Sequence, residues 1–140
     1  TAYGARRIVE AIEASGNPLD TIVAAGGLPS HAPWIIQAYA DVFGREIITS
    51  RTTLGSAMGA AIVAAVAAGE FDSVEAAQDA LVHYNDKRYH HDPVAAATYD
   101  RLYAEFVAVH DAFASTGPLG GVMKNLLDIR DEAVKESTHA

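Results

Sequence analysis

A chain of 140 residues, half of them hydrophobic, is long enough for one domain with its own core, and two independent domains are not expected. Its 18 acidic against 10 basic side chains leave a net charge of −8 with no local basic run, which excludes nucleic acid and anionic membranes as expected partners. Cysteine is absent, so disulfides and thiolate metal sites are impossible, and a reducing compartment, the cytoplasm, is expected.

The pattern AYGARRIVEAIEA predicts a helix over 2–14, with Ile8, Ile12 and Ala5 on one side and Arg6, Arg7, Glu10 and Glu13 largely elsewhere. No basic segment with a following apolar core precedes it, so no secretion signal is expected. Gly16-Asn17-Pro18 stops this helix. The run Thr21–Ala25 is apolar and β-branched at its start, which predicts a strand buried on both faces and ending at Gly26-Gly27. Ser30 is the expected N-cap of a helix that tolerates Pro33 in its first turn, runs through WIIQAYADVF and closes at Gly44.

Arg45–Ser50 predicts a second short strand, and LGSAMGAAIVAAVAA at 54–68 a buried helix ended by Gly69. That run falls short of the roughly 20 residues of a bilayer span. Gly55 and Gly59 share one of its faces, which permits close packing. A helix capped at Ser73 is expected to reach Tyr84, and NDKRYHHDP to form a loop. A long helix over 94–115 and a further helical pattern within 118–135 complete the chain.

The order α-β-α-β-α-α-α predicts two parallel strands flanked by helices. Two strands are few for a parallel sheet, so the sheet is expected to be incomplete in this chain, which then forms one lobe of a larger protein. At a strand–Gly-Gly–helix junction, two readings of the glycines are open. They make a tight turn, or they let an anionic ligand approach free N–H groups. Neither the dinucleotide nor the P-loop spacing is present.

The residues AAGGLPSHAPWIIQAYADVFGREI followed by LGSAMGAAIVAAVAAG resemble the carboxyl-terminal domain of the FGGY carbohydrate kinases, members of the actin-like ATPase superfamily with its ribonuclease H-like fold. The segments TAYGARRIVEAI, FDSVEAAQDAL and YDRLYAEFVAVHDAF are similar to family members acting on L-ribulose more than to those acting on glycerol or xylulose. The resemblance covers nearly the whole chain. It implies a single domain over 1–140, with an α-β-α-β-α nucleotide-binding part at 1–70 and carboxyl-terminal helices at 71–140.

The resemblance also implies an enzyme that transfers the γ-phosphoryl group of ATP, with Mg²⁺, to a pentulose, L-ribulose, in L-arabinose catabolism. Gly26 and Gly27 then admit the ATP phosphates and ribose, Leu28 borders the adenosine, and His31 stands near the adenine, where relatives place asparagine or lysine. Ser30 caps its helix instead of touching ligand. The catalytic aspartate, the sugar pocket and the Mg²⁺ ligands are expected on the amino-terminal lobe, so no catalytic residue is assigned and the chain alone is expected to be inactive. Self-association is expected. Another FGGY sugar kinase such as a xylulose kinase, a non-kinase actin-like nucleotide-binding module and a helical interaction module are the alternatives.

Four other features carry bland readings. His83, His90 and His91 with Asp86 and Asp92 match no closed metal spacing. Trp34 and Tyr39 are expected in the core or at an interlobe contact, and Tyr99, Tyr103, Phe106, His110 and Phe113 in an inward-packing stripe. Asp20 and Asp41 are expected to be solvated or capping.

Overall fold

The computed structural model describes residues 1–114 and 116–138. Its elements are α1 (Ala2–Ala14), β1 (Ile22–Ala24), α2 (Leu28–His31), α3 (Pro33–Phe43), β2 (Ile47–Ser50), α4 (Gly55–Ala67), α5 (Val74–Leu81), β3 (Tyr84–Tyr89), α6 (Pro93–Phe113) and α7 (Val122–Thr138). They fall into two compact units, Thr1–Tyr99 and the residues from Asp100 onward, and α6 runs from one into the other.

In the first unit the strands form one mixed sheet in the order β1-β2-β3. β1 and β2 are parallel, with Ile22 opposite Ile47 and Ala24 opposite Thr49, as the crossover through α2 and α3 requires. β3 is antiparallel to β2, with Tyr89 opposite Ile47 and Tyr84 opposite Ser50 around an irregularity. It corrects the expected loop over NDKRYHHDP and shortens the preceding helix, which ends at Leu81. The reason is its position. Five of the six β3 residues are exposed, so this edge strand carries no apolar alternation to announce it.

Ile36, Ala40, Ile47 and Tyr89 form the core, with Ile22, Ala24, Tyr39 and Phe43 packed around it. Tyr39 meets Phe43 edge-on with ring centroids 5.7 Å apart. β1 is not buried on both faces. Val23 is 40% exposed while Ile22 and Ala24 are partly covered, because α1 and α3 cover only one side of the sheet here. Trp34 is likewise exposed, not core.

Helix α4 also departs from expectation. Ile62 is its one buried residue among those described, and Val63 is 62% exposed. Alanine and glycine make the helix apolar without supplying long side chains that seek a core, and α5 covers a single stripe of it. Helix α5 starts as expected, the Ser73 hydroxyl accepting the Ala76 N–H at 3.1 Å.

Ser30 is not the cap of α3. It lies inside α2, a separate short turn, and α3 begins after Ala32 (φ −141°) with no side-chain cap. Pro33 explains the break, since the residue before a proline is driven out of the helical region. Gly44 closes α3 in the left-handed conformation.

Asp41 is neither solvated nor a cap. It is buried, and its Oδ1 accepts from Gln37 Nε2 at 2.9 Å and from the Asp92 N–H at 2.8 Å. Gln37 Nε2 also donates to the His90 carbonyl at 2.7 Å, so α3 fixes the entry into α6. Arg45 spans to α1, donating to both Glu13 oxygens at 2.8 and 3.0 Å and to the Leu19 carbonyl. That fork holds the Glu13 carboxyl below the usual range.

In the second unit Tyr103 is buried and stacks on Phe106, with centroids 6.2 Å apart, and Phe106 meets His110 at 5.9 Å. Phe113 is about half exposed. Tyr99, in the first unit, meets Tyr3 edge-on at 6.4 Å.

Candidate functional site

Two strand-to-helix junctions leave the sheet side by side. β1 ends in Ala25-Gly26-Gly27 and β2 leads into Thr53-Leu54-Gly55, both at the carboxyl ends of the parallel pair. Such crevices are where open α/β sheets bind ligands. Here an open cleft of about 680 Å³ is lined by Ala25, Gly26, Thr53, Leu54, Gly55, Ser56 and Ala57.

The two adjacent glycines do different jobs. Gly26 has φ +90°, a conformation other residues rarely adopt, although a Cβ there would meet nothing within 4 Å. Backbone conformation, not space, requires glycine at 26. Gly27 has φ −76° and ψ −24°, open to any residue, and a Cβ on it would stand 3.5 Å from His31 Nδ1. Gly55 is small for a third reason: a Cβ there would lie 3.2 Å from the Ala25 Cβ, so its absence lets α4 begin against the end of β1.

The N–H groups of Gly26, Gly27 and Leu28 donate to no acceptor among the described residues. The Gly27 carbonyl, by contrast, accepts three donors: Ser30 N–H at 3.2 Å, His31 N–H at 3.1 Å and His31 Nδ1 at 2.7 Å. A carbonyl oxygen only accepts, so the proton of the His31 ring sits on Nδ1.

Of the four residues singled out from the sequence, Gly26 lines the cleft. Gly27 and His31 adjoin it through the turn and are exposed. Leu28 lines a separate apolar groove of about 360 Å³ bordered by Ala5, Ile8, Val23 and Tyr39. Thr53, Ser56 and the cleft role of Gly55 are not evident from the sequence, where that stretch shows only a packing face. Their signal is the placement of 53–57 just after a second parallel strand.

The histidines do not gather. His90 Nδ1 lies 3.1 Å from a Glu46 oxygen, and Asp92 Oδ1 accepts from the Val94 N–H at the start of α6. Among the described residues no group of three or more histidine, aspartate or glutamate side chains is placed to hold a metal ion. Nor is any helix among them long and apolar enough to cross a membrane. Asp20 is exposed at the opposite, amino-terminal end of the strands, in a polar recess with Arg45, Glu46 and His91.

Residues 1–68 match the family model of the C-terminal domain of the FGGY family of carbohydrate kinases. Ribulokinase of Bacillus licheniformis is 38% identical over 135 residues, covering 94% of this chain and 24% of that protein. Ribulokinase of Mycolicibacterium smegmatis is 38% identical over 138 residues, covering 99% and 24%. Among solved structures, the xylulose kinase of Rhodospirillum rubrum superposes with a TM-score of 0.62 at 31% identity, covering 80% of this chain and 22% of that one. The chain thus spans about a quarter of the length of the curated relatives it matches. With its small mixed sheet, its helix-rich surround and these relatives, the chain belongs to the FGGY family of carbohydrate kinases, as a C-terminal domain of the actin-like fold.

Proposed function

We propose that this chain is the ATP-binding lobe of a sugar kinase that phosphorylates a pentulose, L-ribulose, and that it works against an amino-terminal lobe carrying the sugar pocket. The observation that carries the reading is the cleft at the carboxyl ends of β1 and β2, lined by Gly26, where the turn that leaves it through Gly27 and Leu28 carries three consecutive N–H groups with no acceptor among the described residues, donors of the kind that phosphate oxygens take. Leu28 borders the adenosine and His31 the base. Similarity to ribulokinases supports the substrate, and the structural likeness to a xylulose kinase makes D-xylulose the second reading.

In this reading residues 1–70 bind nucleotide and residues 71–140 supply the carboxyl-terminal helices of one domain. The sugar hydroxyl oxygen attacks the γ-phosphorus while its proton passes to the aspartate expected on the amino-terminal lobe, the bond to the β–γ bridging oxygen breaks, and ADP leaves. Mg²⁺ neutralises the phosphates in such transfers, but the described residues include no acidic cluster to hold it, so its ligands are not assigned to this chain. The protein acts in the cytoplasm and self-associates.

A coupled assay with millimolar ATP and Mg²⁺ tests the proposal on the complete kinase. L-ribulose is the expected best substrate, and D-xylulose at equal kcat/KM would shift the assignment to the second reading. The chain by itself should show no turnover. Holding both substrates together is worth about 7–11 kcal/mol of barrier, and a lobe that holds one of them forgoes it. Turnover by the isolated chain would overturn the two-lobe assignment.

A further inference from the structure

We propose that His31 is a positioning residue: its ring clasps the Gly27 carbonyl and thereby aims the Leu28 N–H of the turn, a role that rests on the nucleotide reading above. The clasp is the Nδ1 contact at 2.7 Å, the shortest of the three that the carbonyl accepts. A trans peptide is planar, so the Leu28 N–H points opposite to the Gly27 C=O in the same unit. Whatever fixes the oxygen fixes that donor. α2 has only four residues, too few to hold its own shape, and its two backbone bonds to the same oxygen are the longer ones at 3.1 and 3.2 Å. The imidazole also lies over Gly27, whose absent Cβ would be 3.5 Å from Nδ1 and 3.7 Å from Cε1. His31 is not among the residues that line the cleft, and its clasp organises the turn that adjoins it.

The chemistry of the bond separates donor from bulk. Asparagine carries its amide nitrogen the same number of bonds from the backbone as Nδ1, so His31→Asn keeps the donor without the ring. His31→Phe keeps the ring without the donor. In the complete kinase, His31→Phe should raise the KM for ATP about fivefold, the factor of one net hydrogen bond, with kcat and the sugar KM unchanged. His31→Asn should restore the ATP KM to within about twofold, a donor of equal reach replacing Nδ1. Equal ATP KM values for the two variants would overturn the clasp.

Ring-nitrogen NMR of the chain gives a second readout independent of turnover. The proton should be on His31 Nδ1, whereas a ring protonated on Nε2 alone overturns the proposal. Gly26→Ala distinguishes the two levels of inference. If it leaves the ATP KM unchanged, the nucleotide reading fails whatever His31 does. If it raises that KM while His31→Phe does not, the clasp alone fails.

Discussion

Replacing Gly26 by alanine isolates backbone conformation from sterics, because φ is +90° while the space a Cβ would enter is empty to 4 Å. Holding an L-residue in the left-handed region costs about 1–2 kcal/mol. For a chain of this size that corresponds to a loss of roughly 3–8 °C in Tm. Gly27→Ala is the matched control. Its φ of −76° suits alanine and its Cβ would make ordinary contact with the His31 ring, so its Tm should not fall and should rise by a few degrees at most, the unfolded chain losing about 0.4–1 kcal/mol of entropy. Gly26→Asn should fall between the two, since asparagine visits the left-handed region more readily. Thermal unfolding followed by circular dichroism on the three variants is the assay. Equal losses for Gly26→Ala and Gly27→Ala, or none for either, would refute the assignment of the demanding conformation to Gly26.

Asp41→Ala should lower stability to urea by about 1–3 kcal/mol, because the Asp92 N–H and Gln37 Nε2 lose a buried acceptor, and Asp41→Asn by less. A urea midpoint unchanged in the alanine variant would show that the node between α3 and α6 is not stabilising. The Glu13 carboxyl, held down chiefly by its hydrogen bond to Arg45, should titrate below its ordinary 4.5 by NMR. Its stabilising contribution is complete above that pH and is lost as the pH falls through the lowered folded value. Arg45→Met should return the midpoint toward 4.5, and no movement would refute the pairing.

Local periodicity is legible where a residue's neighbours in sequence decide its state. Helix α1 falls at 2–14 as its pattern predicts, and Ser73 caps α5 through a bond three residues away. The Gly-Gly junction is equally legible as a place, but not in its division of labour, because identical residues conceal which one needs a positive φ. Distance along the chain hides the rest. Asp41 meets Asp92 across 51 positions, so its burial has no local sign. β3 takes its strand from pairing with β2 and not from its own charged sequence. α4 misleads in the opposite direction, since alanine counts as apolar whether or not anything covers it. Ser30 fails to cap α3 because Pro33 drives Ala32 out of the helical region, a local rule that outranks the capping preference. The His31 clasp follows an i to i−4 spacing that helical residues share with many unconnected pairs.

The central place of β2 bears on the order in which the first unit assembles. α2 and α3 separate β2 from β1, and α4 and α5 separate it from β3, so neither ladder closes without ordering a long stretch of chain first. Loop-closure entropy then sets a slow, non-local step that the helices, which zip locally, do not share. The transition state for folding is therefore expected to contain Ile47 in contact with at least one flanking strand. Truncating Ile47 should slow folding itself, whereas truncating exposed positions of α4 should leave the folding rate alone and act, if at all, on unfolding.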